Sequence, residues 1–552
     1  MDLMRNRRVK KGFPLIRGWL SWQHLLALGA LLGVLLIAAC GDDAAPAATS
    51  TATAPAPTAT STPRPVTPTP THTHTPAMPA ATSDTPAAAL RVALTNLLQE
   101  HVYLAGMATG AAIGGRTGEF TAAAEALDQN SIALSKAIGS VYGKPAEDAF
   151  LPLWRKHIGF FVDYTQGAAA KDQTKKDKAV ADLTAYAKDF DAFLTGANPN
   201  LPKGAVAQLL GPHVTTLTKA IDAQAAGDAK AFDLLRMASE HMPHIADPLA
   251  AAIVRQFPDK FAGASDSKAA GLRAALNATL QEHVYLAGMA TGAATGGRTA
   301  EFQAAAGALD MNSVALSKAI GSVYGTAAES AFLPLWRKHI GFFVDYTQGA
   351  AGKDQTKKDK AVADLTAYAK DFDAFLSGAN PNLPVGAVAQ LLVPHVTTLT
   401  KAIDAQAAGD TKSFGYLREA AAHMPHIADP LASAIVKQFP EKFADSGSMT
   451  PGSTPGMTPT AMAPSAGSVN IQQFRFDPSP VEVKVGTKVT WTNKDSVEHT
   501  VTHGMPGAKG GAFASGLMNA SGTFSYTPTQ AGTMSYFCER HDSMRGEIRV
   551  TN

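Results

Sequence analysis

A long internal duplication limits what this chain can fold into. Residues 151–169 recur without a single change at 333–351, and residues 171–194 recur at 353–376 with the same offset. Segments this similar adopt the same structure, so most of the chain consists of two copies of one structural unit. We place the two copies at residues 89–263 and 271–445.

Each copy contains a finer repeat, the histidine motif, which is a short run that begins with leucine and ends in histidine. In the first copy it recurs at equal intervals and ends at His101, His157 and His213. Between the motifs, apolar residues such as Ala179 and Leu183 recur at helical spacing. The pattern predicts three αα-hairpins, and so six helices, packed as an antiparallel bundle in each copy. Each copy is long enough to bury its own core.

Histidines are the candidate ligands of the helical copies, with five in each. They are His101, His157, His213, His241 and His244 in the first copy, and His283, His339, His395, His423 and His426 in the second. His241 and His244 have an i, i+3 spacing that suits chelation of a metal. Met107 and Asp163 each follow a motif histidine by the same short interval. Two interpretations are open: packing residues bonded to a neighbouring carbonyl, or ligands of a metal or haem.

Two segments are too poor in large apolar residues to bury a core. Residues 40–88 consist mostly of alanine, proline, threonine and serine and predict a disordered spacer. Residues 446–467 are rich in glycine, proline, threonine, methionine and serine and predict a flexible linker. The residues after this linker are therefore expected to form a separate domain on a tether.

The chain begins with a basic leader, followed by an apolar run at 25–39 and then Cys40. The run is shorter than the roughly 20 residues that span a bilayer. Together these features resemble a bacterial lipoprotein signal, which implies removal of residues 1–39 and lipidation of Cys40. The alternative is an uncleaved membrane anchor. In both cases we expect a protein tethered to the cell membrane that faces the periplasm or the cell exterior.

The C-terminal residues 468–552 have the pattern of a β domain. Short runs rich in β-branched and aromatic residues alternate with proline, glycine, asparagine and aspartate. This pattern predicts an antiparallel sandwich or barrel. The predicted strands lie at 469–476, 481–485, 488–492, 499–502, 523–527, 534–537 and 547–550.

The last loop of the β domain contains Cys538, His541 and Met544. A thiolate, two imidazoles and a weak axial thioether are the ligands of a blue-copper site, which passes single electrons. The second imidazole must come from upstream. We choose His499, which follows a predicted strand and turn, although His503 lies on the same strand face and competes with it. The sequence therefore predicts one type 1 copper ion.

Cys538 has a simpler alternative role, as half of a disulfide or as an inert buried thiol. The chain has two cysteines, and the other one, Cys40, belongs to the export signal. The cysteine count therefore favours ligation of a metal by the Cys538 thiolate.

Residues 536–546 and 498–501 resemble the cupredoxin family, specifically plastocyanins and amicyanins. The resemblance extends over 468–552 and implies a Greek-key sandwich, copper ligation by His499, Cys538, His541 and Met544, and single-electron transfer with redox protein partners. Multicopper oxidases also resemble this domain, but they flank the cysteine with histidines, whereas Cys538 follows phenylalanine and precedes glutamate. We therefore expect that the protein is not an enzyme.

Two other functions are open. In one, the histidines and methionines of the helical copies hold additional metal, and the protein stores or delivers copper. In the other, the protein is a scaffolding lipoprotein in which copper is secondary. A nucleic-acid partner is not expected: the net charge is +2, and residues 1–39 carry a clear excess of basic residues, so the remainder is slightly acidic.

Overall fold

The computed structural model describes residues 81–444, 467–472, 475–494, 498–505, 508–519, 521–540 and 544–551. The predicted signal peptide, the predicted lipidation site Cys40, most of the spacer, nearly all of the linker and the predicted copper ligand His541 lie outside these residues. The described residues form two duplicated all-α bundles and a C-terminal β sandwich, which confirms the predicted fold class.

The first helical copy contains helices α1 to α7. They are α1 (Pro86–Ile113), α2 (Thr117–Tyr142), α3 (Lys144–Ala170), α4 (Gln173–Ala197), α5 (Ala205–Ala226), α6 (Ala231–Glu240) and α7 (Met242–Gln256). Each histidine motif lies within the first helix of a hairpin, which places the motif histidines in the middle of α1, α3 and α5.

The second copy repeats this arrangement. Its helices are α8 (Lys268–Thr295), α9 (Thr299–Tyr324), α10 (Thr326–Gly352), α11 (Gln355–Ala379), α12 (Ala387–Ala408), α13 (Ser413–Ala422) and α14 (Met424–Gln438), followed by the short α15 (Pro440–Phe443).

The prediction of six helices per copy is wrong, because the last helix of each bundle is broken in two. In the first copy α6 ends at Glu240 and α7 begins at Met242. Pro243 occupies the first turn of α7, where its missing N–H and fixed φ are tolerated. Because Pro243 has no N–H, the hydrogen-bond ladder of α6 is interrupted here, and the chain starts a new helix.

The helical region also begins earlier than predicted. Thr85 caps α1, its hydroxyl accepting a hydrogen bond from the Ala88 N–H at 3.1 Å, and Pro86 lies at the first helical position. These residues fall within the predicted spacer 40–88. A threonine cap followed by proline starts a helix even though the surrounding composition is that of the spacer.

One hydrophobic core runs through both copies. Helix α1 packs against α8, and the ring of Tyr103 stacks on that of Tyr285 with 5.4 Å between centroids. Both helices are buried around most of their circumference, and a helix of this kind needs partners on every side. Each copy is long enough to bury a core of its own, but in the structure the two cores are continuous.

The β domain contains two packed sheets. Its strands are β1 (Ser468–Gln472), β2 (Arg475–Asp477), β3 (Val481–Lys484), β4 (Val489–Asn493), β5 (Thr502–Met505), β6 (Ala508–Ala514), β7 (Thr523–Tyr526), β8 (Gly532–Phe537) and β9 (Arg545–Thr551). The sheet orders are β2-β1-β4-β7 and β3-β9-β8-β5-β6. Trp491, Tyr536 and Ile548 are fully buried in the core between them.

This domain differs from the prediction in several details, and the predicted strand 469–476 is divided into β1 and β2. The sheets are mixed, since β1 pairs with β4 and β3 with β9 in parallel. Strand β6 was not predicted, because its Lys-Gly-Gly-Ala sequence lacks β-forming residues. Strand β5 begins at Thr502, whereas His499 lies before it in an isolated bridge with Met518.

Within the described residues, no helix combines the length and the apolar character that a membrane span requires.

Candidate metal centre

Cys538 and His499 lie side by side in the core of the β domain. Neither side chain is exposed to solvent, and the Cys538 Sγ atom lies 3.8 Å from the His499 Nδ1 atom. Cys538 directly follows β8, and His499 directly precedes the segment that leads into β5. Because β8 and β5 are paired neighbours, the sheet brings together two residues that are distant in the sequence.

The loop that carries Cys538 is held by several hydrogen bonds. The Thr500 N–H donates to the Cys538 Sγ at 3.3 Å, and the Glu539 N–H donates to the Thr500 hydroxyl at 2.6 Å. The Cys538 N–H donates to the Met544 carbonyl at 3.2 Å. Met544 is itself buried and belongs to the same apolar cluster as Cys538. Three of the four predicted ligands therefore lie in one buried region, and the fourth, His541, is outside the described residues.

The surroundings of Cys538 favour its thiolate. Burial raises the pKa of the thiol, but hydrogen bonds with His499 and the Thr500 N–H outweigh it, so the pKa lies below its ordinary value. A thiolate is the form that binds metal ions.

His499 is fixed by backbone pairing with Met518, with N–H to carbonyl distances of 3.1 and 2.8 Å. Asn493 supports this pairing, because its buried side-chain amide donates to the Met518 carbonyl at 2.8 Å. These bonds fix the backbone of His499 beside Cys538.

His503 is in a different environment. Its Nδ1 atom accepts a hydrogen bond from the Ala512 N–H at 3.2 Å, and its ring packs against Phe513. Of the two candidates, the structure places His499 beside the thiol.

The sequence of the β domain matches known copper proteins. Residues 465–551 match the model of the copper-binding proteins of the plastocyanin/azurin family. Amicyanin of Paracoccus denitrificans is 34% identical over 125 residues, which cover 22% of this chain and 95% of that protein. The chain belongs to this cupredoxin family. Plastocyanin of Scenedesmus fuscus is 37% identical over 83 residues, covering 14% of this chain and 85% of that protein.

Solved cupredoxin structures also match. The Cu(I) form of an amicyanin variant has 32% identity and a TM-score of 0.15, over 16% of this chain and 87% of that chain. The purple cupredoxin of Nitrosopumilus maritimus has 28% identity and a TM-score of 0.15, over 15% of this chain and 98% of that chain. The helical copies lie outside the residues that the family model matches.

The helical copies contain a second arrangement of possible ligands. In each copy the three motif histidines converge, so that one ring nitrogen from each lies within 4.8 Å of the other two. The clusters are His101, His157 and His213 in the first copy and His283, His339 and His395 in the second. All six side chains are buried.

Burial keeps these histidines neutral. It lowers the pKa of His157 to about 4 and, together with the neighbouring imidazoles, that of His213 to about 3. In the second copy the same causes lower the pKa of His339 to about 3, and that of His395 to about 4. A neutral imidazole is the form that coordinates a metal.

The chelating pair suggested by the sequence is placed differently. The His241 Nε2 atom is hydrogen-bonded to the Leu209 carbonyl at 2.8 Å, and His423 bonds in the same way to Leu391 at 2.9 Å. These two residues fit the packing interpretation. The i, i+3 spacing of His241 and His244 drew attention to that pair, although the recurring histidine motif was the signal that marked the converging set.

Proposed function

We propose that the protein is a membrane-tethered, extracytoplasmic blue-copper protein that carries single electrons through one mononuclear type 1 site. Its ligands are His499, Cys538, His541 and Met544. The observation that supports this most directly is the contact between the His499 Nδ1 and Cys538 Sγ atoms in the closed core, 3.8 Å apart. Membership of the cupredoxin family supports the same site.

The donor set fits copper. A thiolate and imidazoles serve both Cu(II) and Cu(I), and copper bound there would supply reversible one-electron chemistry. The chain's own contribution is to hold these donors still. The Thr500 N–H fixes the sulfur and the pairing with Met518 fixes His499. Ligands that do not move between oxidation states keep the barrier to electron transfer low.

The tether and the partners are proposed from the sequence. Cys40 and the apolar run before it support lipid anchoring outside the cytoplasm, and the segment that follows supports a spacer between membrane and folded domains. The partners would be other redox proteins, and we propose no enzymatic activity.

The test is the visible spectrum of the copper-loaded, oxidised full chain. We expect an intense thiolate-to-copper charge-transfer band that Cys538→Ser abolishes while the far-UV circular dichroism is unchanged. The matched control is His503→Asn, which should keep the band because His503 contacts Ala512 and Phe513 instead of the thiol. A colourless wild-type protein, or a band that survives Cys538→Ser, would refute the proposal.

A further inference from the structure

The interior of each helical bundle contains three imidazoles that come from three different helices. In the first copy, α1 provides His101, α3 provides His157 and α5 provides His213, and each is at most 6% exposed. The Nδ1 atoms of His101 and His213 are buried without a hydrogen-bond partner among the described residues. Through these atoms the two rings make no hydrogen bond to the described residues of the surrounding helices, unlike His241, whose ring bonds to the Leu209 carbonyl.

The distances between these imidazoles suit a metal ion. The Nε2 atoms of His101 and His157 share a hydrogen bond at 3.2 Å, and those of His283 and His339 share one at 3.3 Å, so an ion would take the place of the shared proton. Two imidazole nitrogens bound to one metal at about 2.0 to 2.1 Å lie roughly 3.3 to 3.6 Å from each other in tetrahedral or trigonal geometry. The observed pairs therefore need little movement to share an ion.

The space around the cluster is small and apolar. A cavity of about 60 Å³ is lined by the three histidines, and a cavity of the same size lies at the same place in the second copy. This is far below the roughly 300 Å³ at which pockets for small organic ligands begin, so the cavity shared by the three histidines is too small for haem. In the second copy His283 also lines a neighbouring cavity of about 320 Å³, which the other two motif histidines do not reach. The shared cavity exceeds the roughly 10 to 15 Å³ that one water molecule needs, so an ion with one small ligand fits.

The charge and chemical type of the groups that line the cavity determine which metal ion it binds best. Among the described residues that line the cavity of the first copy, none is a carboxylate, and Met242 contributes a thioether. Met424 occupies the same place in the second copy. The cost of burying an ion rises with the square of its charge, so three neutral imidazoles favour a monovalent ion over a divalent one. Imidazole and thioether donors are suited to copper, and the thioether to Cu(I) in particular.

We propose that each helical copy binds one copper(I) ion through its three motif histidines, so that the chain holds two such ions besides the copper of the β domain. These sites would give the chain a second role in holding or delivering copper. The inference rests on the helical residues alone, and the copper of the β domain enters only the expected total.

The test is the copper content of the full chain after anaerobic loading with Cu(I) and challenge with a competing Cu(I) chelator. We expect three copper ions per wild-type chain, two after either His157→Phe or His339→Phe, and one after both changes. The two copies serve as internal controls for each other. His241→Gln and His423→Gln, which alter histidines outside the clusters, should keep three.

X-ray absorption of the copper-loaded chain tests the inference even where a histidine variant fails to fold. The Cu(I)-loaded Cys538→Ser chain should show scattering from imidazole rings, and Met242→Leu with Met424→Leu should remove any sulfur contribution without changing the copper count.

One copper ion per wild-type chain, or retention of three in the double histidine variant, would overturn the inference. Occupation of these sites by zinc in preference to Cu(I) would overturn the choice of metal. The visible band should be unaffected by the helical variants, which separates this result from that of the electron carrier.

Discussion

The histidines of this chain have three different roles, and the groups that each buried ring contacts decide its role. His499 lies beside a thiol, His241 bonds to a backbone carbonyl, and His101 converges with two other imidazoles. The sequence marks all three as candidate ligands without separating them. The difference arises because a buried ring nitrogen must find a partner, and only the packing determines which partner is within reach.

Met544 is the residue whose replacement reports most directly on the β-domain site. We expect Met544→Leu to keep copper but to raise the reduction potential, because Cu(II) prefers a higher coordination number than Cu(I) and is weakened more by loss of a fourth donor. A tenfold change in relative affinity corresponds to about 59 mV for one electron. Electrochemical titration of the purified chain measures this shift, and an unchanged or lowered potential would mean that Met544 is not the axial ligand.

At the scale of elements, the pairing of β8 with β9 positions the Cys538 loop. Tyr536 in β8 faces Gly546 in β9, and its ring is buried against Trp491 and Phe476 with centroids 5.3 and 4.7 Å away. A side chain at position 546 would overlap the Tyr536 ring. Position 546 therefore has to be glycine because the Tyr536 ring leaves no room for a side chain, and the backbone conformation of Gly546 is not the reason.

Gly546→Ala should destabilise the β domain by about 1 to 3 kcal/mol, because the confined Tyr536 ring cannot move away from the added methyl group. Denaturant unfolding followed by near-UV circular dichroism measures the change, while the helical far-UV signal should be unaffected. Adding Tyr536→Leu should recover part of the loss, since contacting residues are not additive. Wild-type stability in Gly546→Ala would show that the strands can shift apart.

At the scale of the whole helical region, the two copies are joined by reciprocal ion pairs. Arg236 of the first copy pairs with Glu282 of the second at 2.8 Å, and Arg418 of the second pairs with Glu100 of the first. The first pair is more deeply buried: its side chains are 8% and 6% exposed, against 25% for Arg418 and 10% for Glu100. Glu282 also accepts hydrogen bonds from Tyr103 and Asn312.

Arg236→Met should destabilise the helical region by about 3 to 5 kcal/mol, since it leaves a buried carboxylate without its counter-charge. Arg418→Met is the matched control and should cost less, because water reaches that pair more easily. Urea unfolding followed by far-UV circular dichroism compares the two. Equal losses would show that burial does not distinguish the pairs.

Much of the architecture follows from local patterns in the sequence. The helical period, the long exact duplication and the alternating strands can each be recognised in the sequence alone, and the structure confirms the fold class they predict. Local patterns fail where propensity is weak or misleading, as in the glycine-rich β6 and at Pro243, which divides a helix that was predicted to be continuous.

The sequence by itself determined the two helical copies, the β domain and the set of possible copper ligands. The tertiary structure decided that α1 and α8 merge both copies into one core, and that histidines from three different hairpins converge in each copy. The physical reason is that the hydrophobic period and the secondary-structure propensities of residues act over short stretches of chain. Contacts between distant residues depend on how whole helices and sheets pack, because only close packing can bury their apolar faces.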